Sequence, residues 1–117
     1  SVTALVEFIR NNPLYFEFLA RERAGGPPKV RETIHTQMRQ FVAELAEDLQ
    51  QWPTYADFPR DDLAMLADLV VNTVIHLALD LLALPYVEDD AEQVLRTTKQ
   101  LRLIMLGAHA WRPEKGA

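Results

Sequence analysis

With 117 residues, the chain is long enough for one domain with its own hydrophobic core and too short for two. Its composition is 49% apolar and 25% charged with no cysteine, which excludes a disordered chain, disulfides and thiolate chemistry. The net charge of −5 is concentrated in residues 41–95, where Arg60 stands alone against twelve acidic side chains, so we do not expect the chain to bind nucleic acid by itself. Because we find neither an apolar run of about 18 residues nor a signal peptide, we predict one cytoplasmic domain over residues 1–117.

Apolar residues recur with helical periodicity throughout the chain, and strand-type alternation is not found, so we predict an all-α fold of five helices. The first helix is predicted over residues 3–10. Asn11-Asn12-Pro13 ends it and begins the second, with Asn12 as a candidate cap and Pro13 at the first helical position. The second helix is predicted over residues 13–24, and Gly25-Gly26-Pro27-Pro28 ends it.

The third helix is predicted over residues 29–52, because its apolar side chains recur at spacings of three and four and form one stripe. Pro53 ends this helix. Residues 54–59 are then predicted to form a loop that Tyr55 and Phe58 anchor to the core.

The fourth helix, predicted over residues 60–84, has two adjacent apolar stripes. Two such stripes indicate burial on two sides of one helix. A domain of this size has little protein to cover both sides, so we expect the second side to meet another subunit. The first stripe comprises Leu63, Leu66, Val70, Val74, Leu77 and Leu81, and the second comprises Ala64, Ala67, Val71, Ile75, Ala78 and Leu82.

The fifth helix is predicted over residues 90–111 and follows Pro85 after a connection over residues 84–89. So short a connection makes the fourth and fifth helices an antiparallel hairpin. A hairpin that is apolar on its outside is half of an intermolecular four-helix bundle, and we expect a two-fold homodimer. The residues predicted to form this interface are Ala64, Ala67, Val71, Ile75, Ala78, Leu82, Leu103, Leu106, Gly107 and Ala110.

No motif in the sequence predicts an enzyme or a metal site. Glu32-x-x-His35 has the spacing of one half of a di-iron site, but such sites need a second pair and two further glutamates, so a surface pair is the preferred interpretation. The acids of residues 88–92 are interpreted as charges at a helix start rather than as a catalytic dyad. Phosphate-binding glycine loops and nucleophile elbows are not found. We therefore expect no catalytic residue, metal or cofactor.

Polar residues interrupt the apolar fourth helix at intervals of four. Asp68, Asn72, His76 and Asp80 form either an interfacial hydrogen-bond row, or a His76–Asp80 pair, or a set in which Asn72 and His76 orient a polar ligand group. At the end of the second helix, Arg21 and Arg23 either cap that helix or pair with Glu17, or one of them holds an acidic ligand group or a neighbouring domain. The apolar side chains of Phe16, Phe18, Leu19, Met38, Phe41 and Met105 either fill the core or line a cavity for a long apolar ligand.

The five-helix pattern resembles the C-terminal regulatory domain of TetR-family transcriptional regulators. Its local runs resemble the proteobacterial repressors of unsaturated fatty acid biosynthesis. The runs that carry this resemblance are Glu7-Phe8-Ile9, Asn11-Asn12-Pro13, Phe16, Arg21-Glu22-Arg23 with Gly25, Phe41-Val42-Ala43-Glu44-Leu45-Ala46, Gln100-Leu101-Arg102, Gly107-Ala108 and Trp111-Arg112.

The resemblance implies a homodimer built through the last two helices and an effector cavity among the earlier ones. In that branch the effector is a fatty acyl chain, as its coenzyme A thioester. The family also places a DNA-binding helix-turn-helix ahead of this region, and we expect it to be absent from this chain, which would then sense and dimerise without reading an operator. The competing interpretation is a ligand-free helical dimerisation or adapter module. The residues hypothesised to bind ligand are Phe16, Leu19, Arg21, Arg23, Met38, Phe41, Asn72, His76 and Met105.

Overall fold

In a computed structural model of the chain, residues 1–83 and 89–111 are described, and they confirm the predicted all-α fold. Each helix begins within one residue of its predicted start. The third helix ends two residues early, and the predicted chain connection over 84–88 lies outside the described residues. The elements are α1 (Val2–Asn11), α2 (Pro13–Gly25), α3 (Pro28–Gln50), a 3₁₀ turn (Pro53–Tyr55), α4 (Arg60–Ala83) and α5 (Asp90–Ala110).

The ends of the first two helices follow from local side-chain chemistry, with one difference from prediction. The Ser1 hydroxyl accepts a hydrogen bond from the Ala4 amide (3.3 Å) and caps α1. Asn12 precedes α2 but does not cap it. Its side-chain amide donates instead to the Phe8 carbonyl (2.8 Å), so it satisfies a free carbonyl at the end of α1.

The central element is α4, which contacts α1, α2, α3 and α5. Two clusters of buried side chains lie along it. The first cluster joins α1 to the second half of α4, with Phe16 and Val94 packed against it, and the second joins the end of α3 and the 3₁₀ turn to the first half of α4. The first comprises Val6, Ile9, Leu77, Ala78 and Leu81, and the second comprises Leu49, Tyr55, Leu63, Leu66 and Ala67.

The predicted loop after α3 is a short 3₁₀ turn followed by bends, and Tyr55 anchors it as predicted. Tyr55 is 4% exposed and packs edge-to-face on Phe58 with ring centroids 5.3 Å apart. The Gln50 side chain donates to the carbonyls of Ala56 and Phe58 at 3.2 Å each. This turn therefore closes one end of the bundle and fixes where α4 begins.

An ion pair joins the first helix to the last. Arg10 donates to both carboxylate oxygens of Asp90 (3.1 and 2.6 Å) and to the Leu81 carbonyl (2.8 Å). The hydrogen bond to Asp90 raises the pKa of Arg10 above its ordinary value. A raised pKa keeps the Arg10 guanidinium fully charged at neutral pH, so its charge is available to this contact there. The acid at the start of α5 thus binds α1, a role that the sequence analysis did not assign to it.

Helices α4 and α5 are antiparallel, as predicted. The Trp111 indole, just after α5, donates to Asp62 at the start of α4 (2.9 Å), whereas Val94 near the start of α5 packs against the first buried cluster, whose α4 members lie in the second half of that helix. By length and composition α4 is the one described helix that could cross a membrane, and 33% of its apolar stretch is buried within the chain. Its contacts with four other helices are those of a core helix.

Candidate functional site

An open cleft lies between the end of α2 and the first half of α3. Its volume is about 610 Å³, within the range of roughly 300–1,000 Å³ that small-molecule sites occupy. Its lining is mainly polar and basic. The lining residues are Arg23, Ala24, Pro28, Arg31, Glu32, His35, Thr36 and Arg39. We refer to this feature as the outer cleft.

A second cleft of about 220 Å³ continues between α3 and α4, and we refer to it as the inner cleft. It shares Arg23, His35 and Arg39 with the outer cleft, so the two clefts adjoin at these side chains, and we refer to the pair as the depression. Besides those three residues, the polar residues that line the inner cleft are Asp68 and Asn72. Its remaining lining residues are apolar, and they are Ile34, Met38, Val42, Val71 and Ile75.

Three of the residues hypothesised to bind ligand, Arg23, Met38 and Asn72, line this depression. The others lie elsewhere. Phe16 packs on the first buried cluster and Met105 on the second, while Phe41 is 57% exposed on another face of α3. Leu19 and His76 line neither cleft, and Arg21 pairs with Glu22 (3.2 Å) beside the Phe18 ring.

The polar row on α4 lies on its exposed side. Asn72 donates to Asp68 (3.2 Å), and all four members of the row are exposed. The alternative pairing of His76 with Asp80 is not present among the described hydrogen bonds. Asp68 and Asn72 therefore border the inner cleft, and His76 and Asp80 continue along the open face of α4.

The sequence analysis missed Arg31 and Arg39. A signal for them was present, because Arg31, His35 and Arg39 stand four residues apart and so share one face of α3. Glu32 and His35, interpreted from the sequence as a surface pair, are both exposed and both line the outer cleft. Among residues 1–83 and 89–111, no cluster of three metal-ligating side chains occurs.

Gly26 lies close to the last turn of α2, where its amide donates to the Glu22 carbonyl (3.2 Å). A Cβ atom built at Gly26 would lie 2.7 Å from the Glu22 carbonyl oxygen and 2.9 Å from the Glu22 Cα, and would also meet the Glu22 carboxylate. The backbone atoms cannot yield without moving the end of α2. The turn that follows α2 therefore requires a residue without a side chain at position 26.

Replacing Gly26 with alanine is expected to lower the free energy of unfolding by about 1–3 kcal/mol, since the added methyl overpacks the turn. Urea denaturation followed by circular dichroism measures this change. Gly25→Ala is the matched control, because a Cβ atom there meets nothing within 4 Å, and it should leave stability unchanged or raise it by up to about 1 kcal/mol. If the two substitutions changed the free energy of unfolding equally, the short distance between a Cβ atom at Gly26 and the Glu22 backbone would not be a source of destabilisation.

The predicted interface residues divide into two groups. Leu103 and Leu106 on α5 are 71% and 57% exposed, and Ala64, Gly107 and Ala110 are exposed too. By contrast, Ala67, Val71 and Ala78 are at most 8% exposed and lie within the chain's own interior, so the placement of these three on a second-subunit face is corrected.

The reason for this correction is that α1, α3 and α5 between them cover most of both apolar stripes of α4. Ile75 and Leu82 are half-buried. The apolar side chains that α4 leaves open are instead Met65 (52% exposed) and Leu69 (53%).

In the part of the chain that the structure describes, the architecture is a small all-α bundle with a cleft beside its central helix. Residues 1–107 match the family described as the tetracyclin repressor-like, C-terminal domain, and the chain belongs to this family. Domains of this kind typically dimerise, bind small ligands and are generally non-enzymatic. No solved structure matches the chain significantly. The TetR-family part of the predicted resemblance is thereby confirmed, and the resemblance to fatty acid repressors stays a prediction.

Proposed function

We propose that this domain is the effector-sensing and dimerisation part of a regulator of fatty acid or lipid metabolism genes, and that its effector is a long-chain fatty acyl group carried as a coenzyme A thioester. The observation that supports this most directly is that a mainly apolar inner cleft adjoins a basic outer cleft. An amphipathic ligand needs both, with its tail against Ile34, Met38 and Ile75 and its head among the arginines.

The sizes of the two clefts fit such a division. The inner cleft, at about 220 Å³, is below the range of roughly 300–1,000 Å³ for a whole small-molecule site, so it suits a part of a ligand. The side chains of Met38 and Ile75 are half-buried and can adjust around an alkyl chain, and methionine adapts well to irregular apolar shapes.

The homodimer is supported by the amount of open apolar surface on the α4–α5 hairpin. Besides Met65, Leu69, Leu103 and Leu106, Leu95 is 56% exposed. A stable dimer covers about 800 Å² on each partner around an apolar centre, and these exposed side chains all lie on the two helices of this hairpin.

Coupling between the cleft and a DNA-binding domain would pass through α4. The inner cleft is bounded by α3 and α4, and α4 carries the buried cluster that holds α1. In this family the DNA-binding domain precedes α1. A ligand that enters between α3 and α4 would therefore bias the position of α1, and across a dimer it would change the spacing of the two DNA-binding domains.

The ligand hypothesis is tested by filling the inner cleft. Met38→Trp places a bulky ring where Met38 now lines the cleft, and we expect the affinity for palmitoyl-coenzyme A to fall at least tenfold. Phe41→Ala is the matched control on the same helix, because Phe41 lies outside both clefts, and it should bind as the wild type does. Isothermal titration calorimetry measures both affinities.

Native mass spectrometry of the purified domain separates this function from that of a ligand-free adapter. A dimer that retains or gains a mass equal to a fatty acyl ligand supports the sensor. A dimer that gains no mass with added palmitoyl-coenzyme A supports the adapter. Equal binding by wild type and Met38→Trp would place the ligand outside the inner cleft.

A further inference from the structure

The outer cleft concentrates positive charge on a protein whose net charge is −5. Arg23, Arg31 and Arg39 all line it together with His35, and Glu32 is the single acid in the lining. These three arginines have no ion pair among the described residues, whereas Arg10 and Arg21 each pair with a carboxylate. The guanidinium groups of the cleft are thus available to a ligand.

One arginine of the outer cleft, Arg31, has a buried nitrogen in an unfavourable environment. Its Nε atom is buried and has no hydrogen-bond partner among the described residues. A buried charged donor without an acceptor is strongly disfavoured, and polar atoms in this state usually have a partner that completes them. An anionic acceptor in the outer cleft would complete Arg31.

The start of α3 is a second place where a bound anion would be favourable. No acidic residue lies in its first turn and no side chain caps it, while Lys29 and Arg31 are both found there. The amino end of a helix carries partial positive charge, so two cations at that position repel it. Because Pro28, the first residue of α3, borders the outer cleft, an anion bound there would relieve the repulsion.

We infer that the outer cleft is a binding site for a phosphate ester, held by Arg23 of α2 and by Arg31 and Arg39 of the first half of α3. One arginine suffices for the single charge of a carboxylate, whereas three arginines around a cleft of about 610 Å³ match the several charges and oxygens of phosphoryl groups. The phosphoryl group comes either from the head of the amphipathic effector, in which case the inference rests on the proposed function, or from a free phosphate compound.

Two probes without an acyl chain test the site on the full chain. Coenzyme A carries a diphosphate and a 3′-phosphate, and inorganic phosphate carries neither nucleoside nor thiol. We expect coenzyme A to bind the wild type, to bind Arg31→Gln and Arg39→Gln at least tenfold more weakly, and to lose affinity as salt is raised. Arg60→Gln, which removes the same charge outside both clefts, should bind as the wild type does.

Thermal unfolding gives an independent readout of Arg31. In phosphate-free buffer, the Tm of Arg31→Gln is expected to equal or exceed that of the wild type, because an unpaired charge is removed from the start of a helix. Adding phosphate should raise the Tm of the wild type and not that of Arg31→Gln. If the phosphoryl group belongs to the effector's head, we expect coenzyme A to bind at least tenfold more tightly than inorganic phosphate. If it belongs to a free phosphate compound, we expect the two affinities to be similar. Either result supports the phosphate site.

Two results would overturn the inference. The first is that neither probe binds, or that both bind Arg31→Gln and the wild type equally. The second is a lower Tm of Arg31→Gln in phosphate-free buffer, which would give Arg31 a structural role alone. Palmitoyl-coenzyme A separates this from the proposed function, because it adds an acyl chain to the same head group: if it binds no more tightly than coenzyme A, while coenzyme A binds in an Arg31-dependent way, the phosphate site stands and the acyl sensor does not.

Discussion

Replacing Leu103 and Leu106 together with glutamate is expected to convert the proposed homodimer into a monomer. Both leucines project from α5 and are 71% and 57% exposed in the single chain. Burying a leucine contributes roughly 1.5–3 kcal/mol, and a two-fold interface buries each of them twice. Four lost leucines, each replaced by a charge that must be desolvated, should raise the dimer Kd by at least a thousandfold.

Sedimentation velocity at several protein concentrations measures this change. Leu14→Glu is the matched control, because Leu14 is 79% exposed on α2 and lies outside the α4–α5 hairpin. It should leave the dimer intact. A double variant that remains dimeric with an unchanged circular dichroism spectrum would place the interface on another face, and a monomeric wild type at high micromolar concentration would remove the dimer altogether.

Leu81→Ala is expected to cause the largest loss of stability, about 2–5 kcal/mol. Leu81 is fully buried (0% exposed) in the cluster that holds α1 against α4. Truncation removes its contacts with Val6, Ile9 and Leu77 and leaves a cavity that the helices cannot close without moving. Total stabilities are about 5–15 kcal/mol for natural domains, so a substantial part of the total would be lost.

Urea denaturation at a fixed protein concentration measures the effect, since dimerisation would otherwise add its own contribution. Leu14→Ala, at a position that is 79% exposed, serves as the control and should change stability by less than about 0.5 kcal/mol. In Leu81→Ala, hydrogen exchange of the backbone amides should accelerate more in α1 than in α3. The reason is that Leu81 belongs to the first cluster, which holds α1, and not to the second. Equal protection of α1 in both proteins would contradict the role of this cluster as its anchor.

The order and bounds of the helices could be predicted because each boundary is local. Pro13 and Pro53 cannot sit in a helix interior, Gly25-Gly26-Pro27-Pro28 cannot continue one, and a 3.6-residue apolar period needs no knowledge of distant residues. The family resemblance reached the same fold from short runs of residues, and the match over residues 1–107 agrees.

The candidate site was predictable only in part. Arg23, Met38 and Asn72 lie on three different helices, and the sequence indicated each by its chemistry but not their meeting. Phe41 and Met105 are large apolar residues on predicted helices, as Met38 is. Phe41 is nevertheless open to solvent, and Met105 packs on the second buried cluster. Periodicity identifies an apolar face of a helix, and it does not identify which neighbour covers that face.

The sequence by itself determined an all-α fold, with five helices in residues 1–83 and 89–111, an acidic middle and a doubly apolar fourth helix. Only the tertiary structure decided that Ala67, Val71 and Ala78 are used inside the chain while Leu103 and Leu106 remain outside, and that Arg31 and Arg39 face a cleft. The physical reason is the distance along the sequence over which each kind of interaction acts. Helix formation and termination depend on residues within a few positions, whereas burial and cleft formation depend on how helices distant in the sequence pack together.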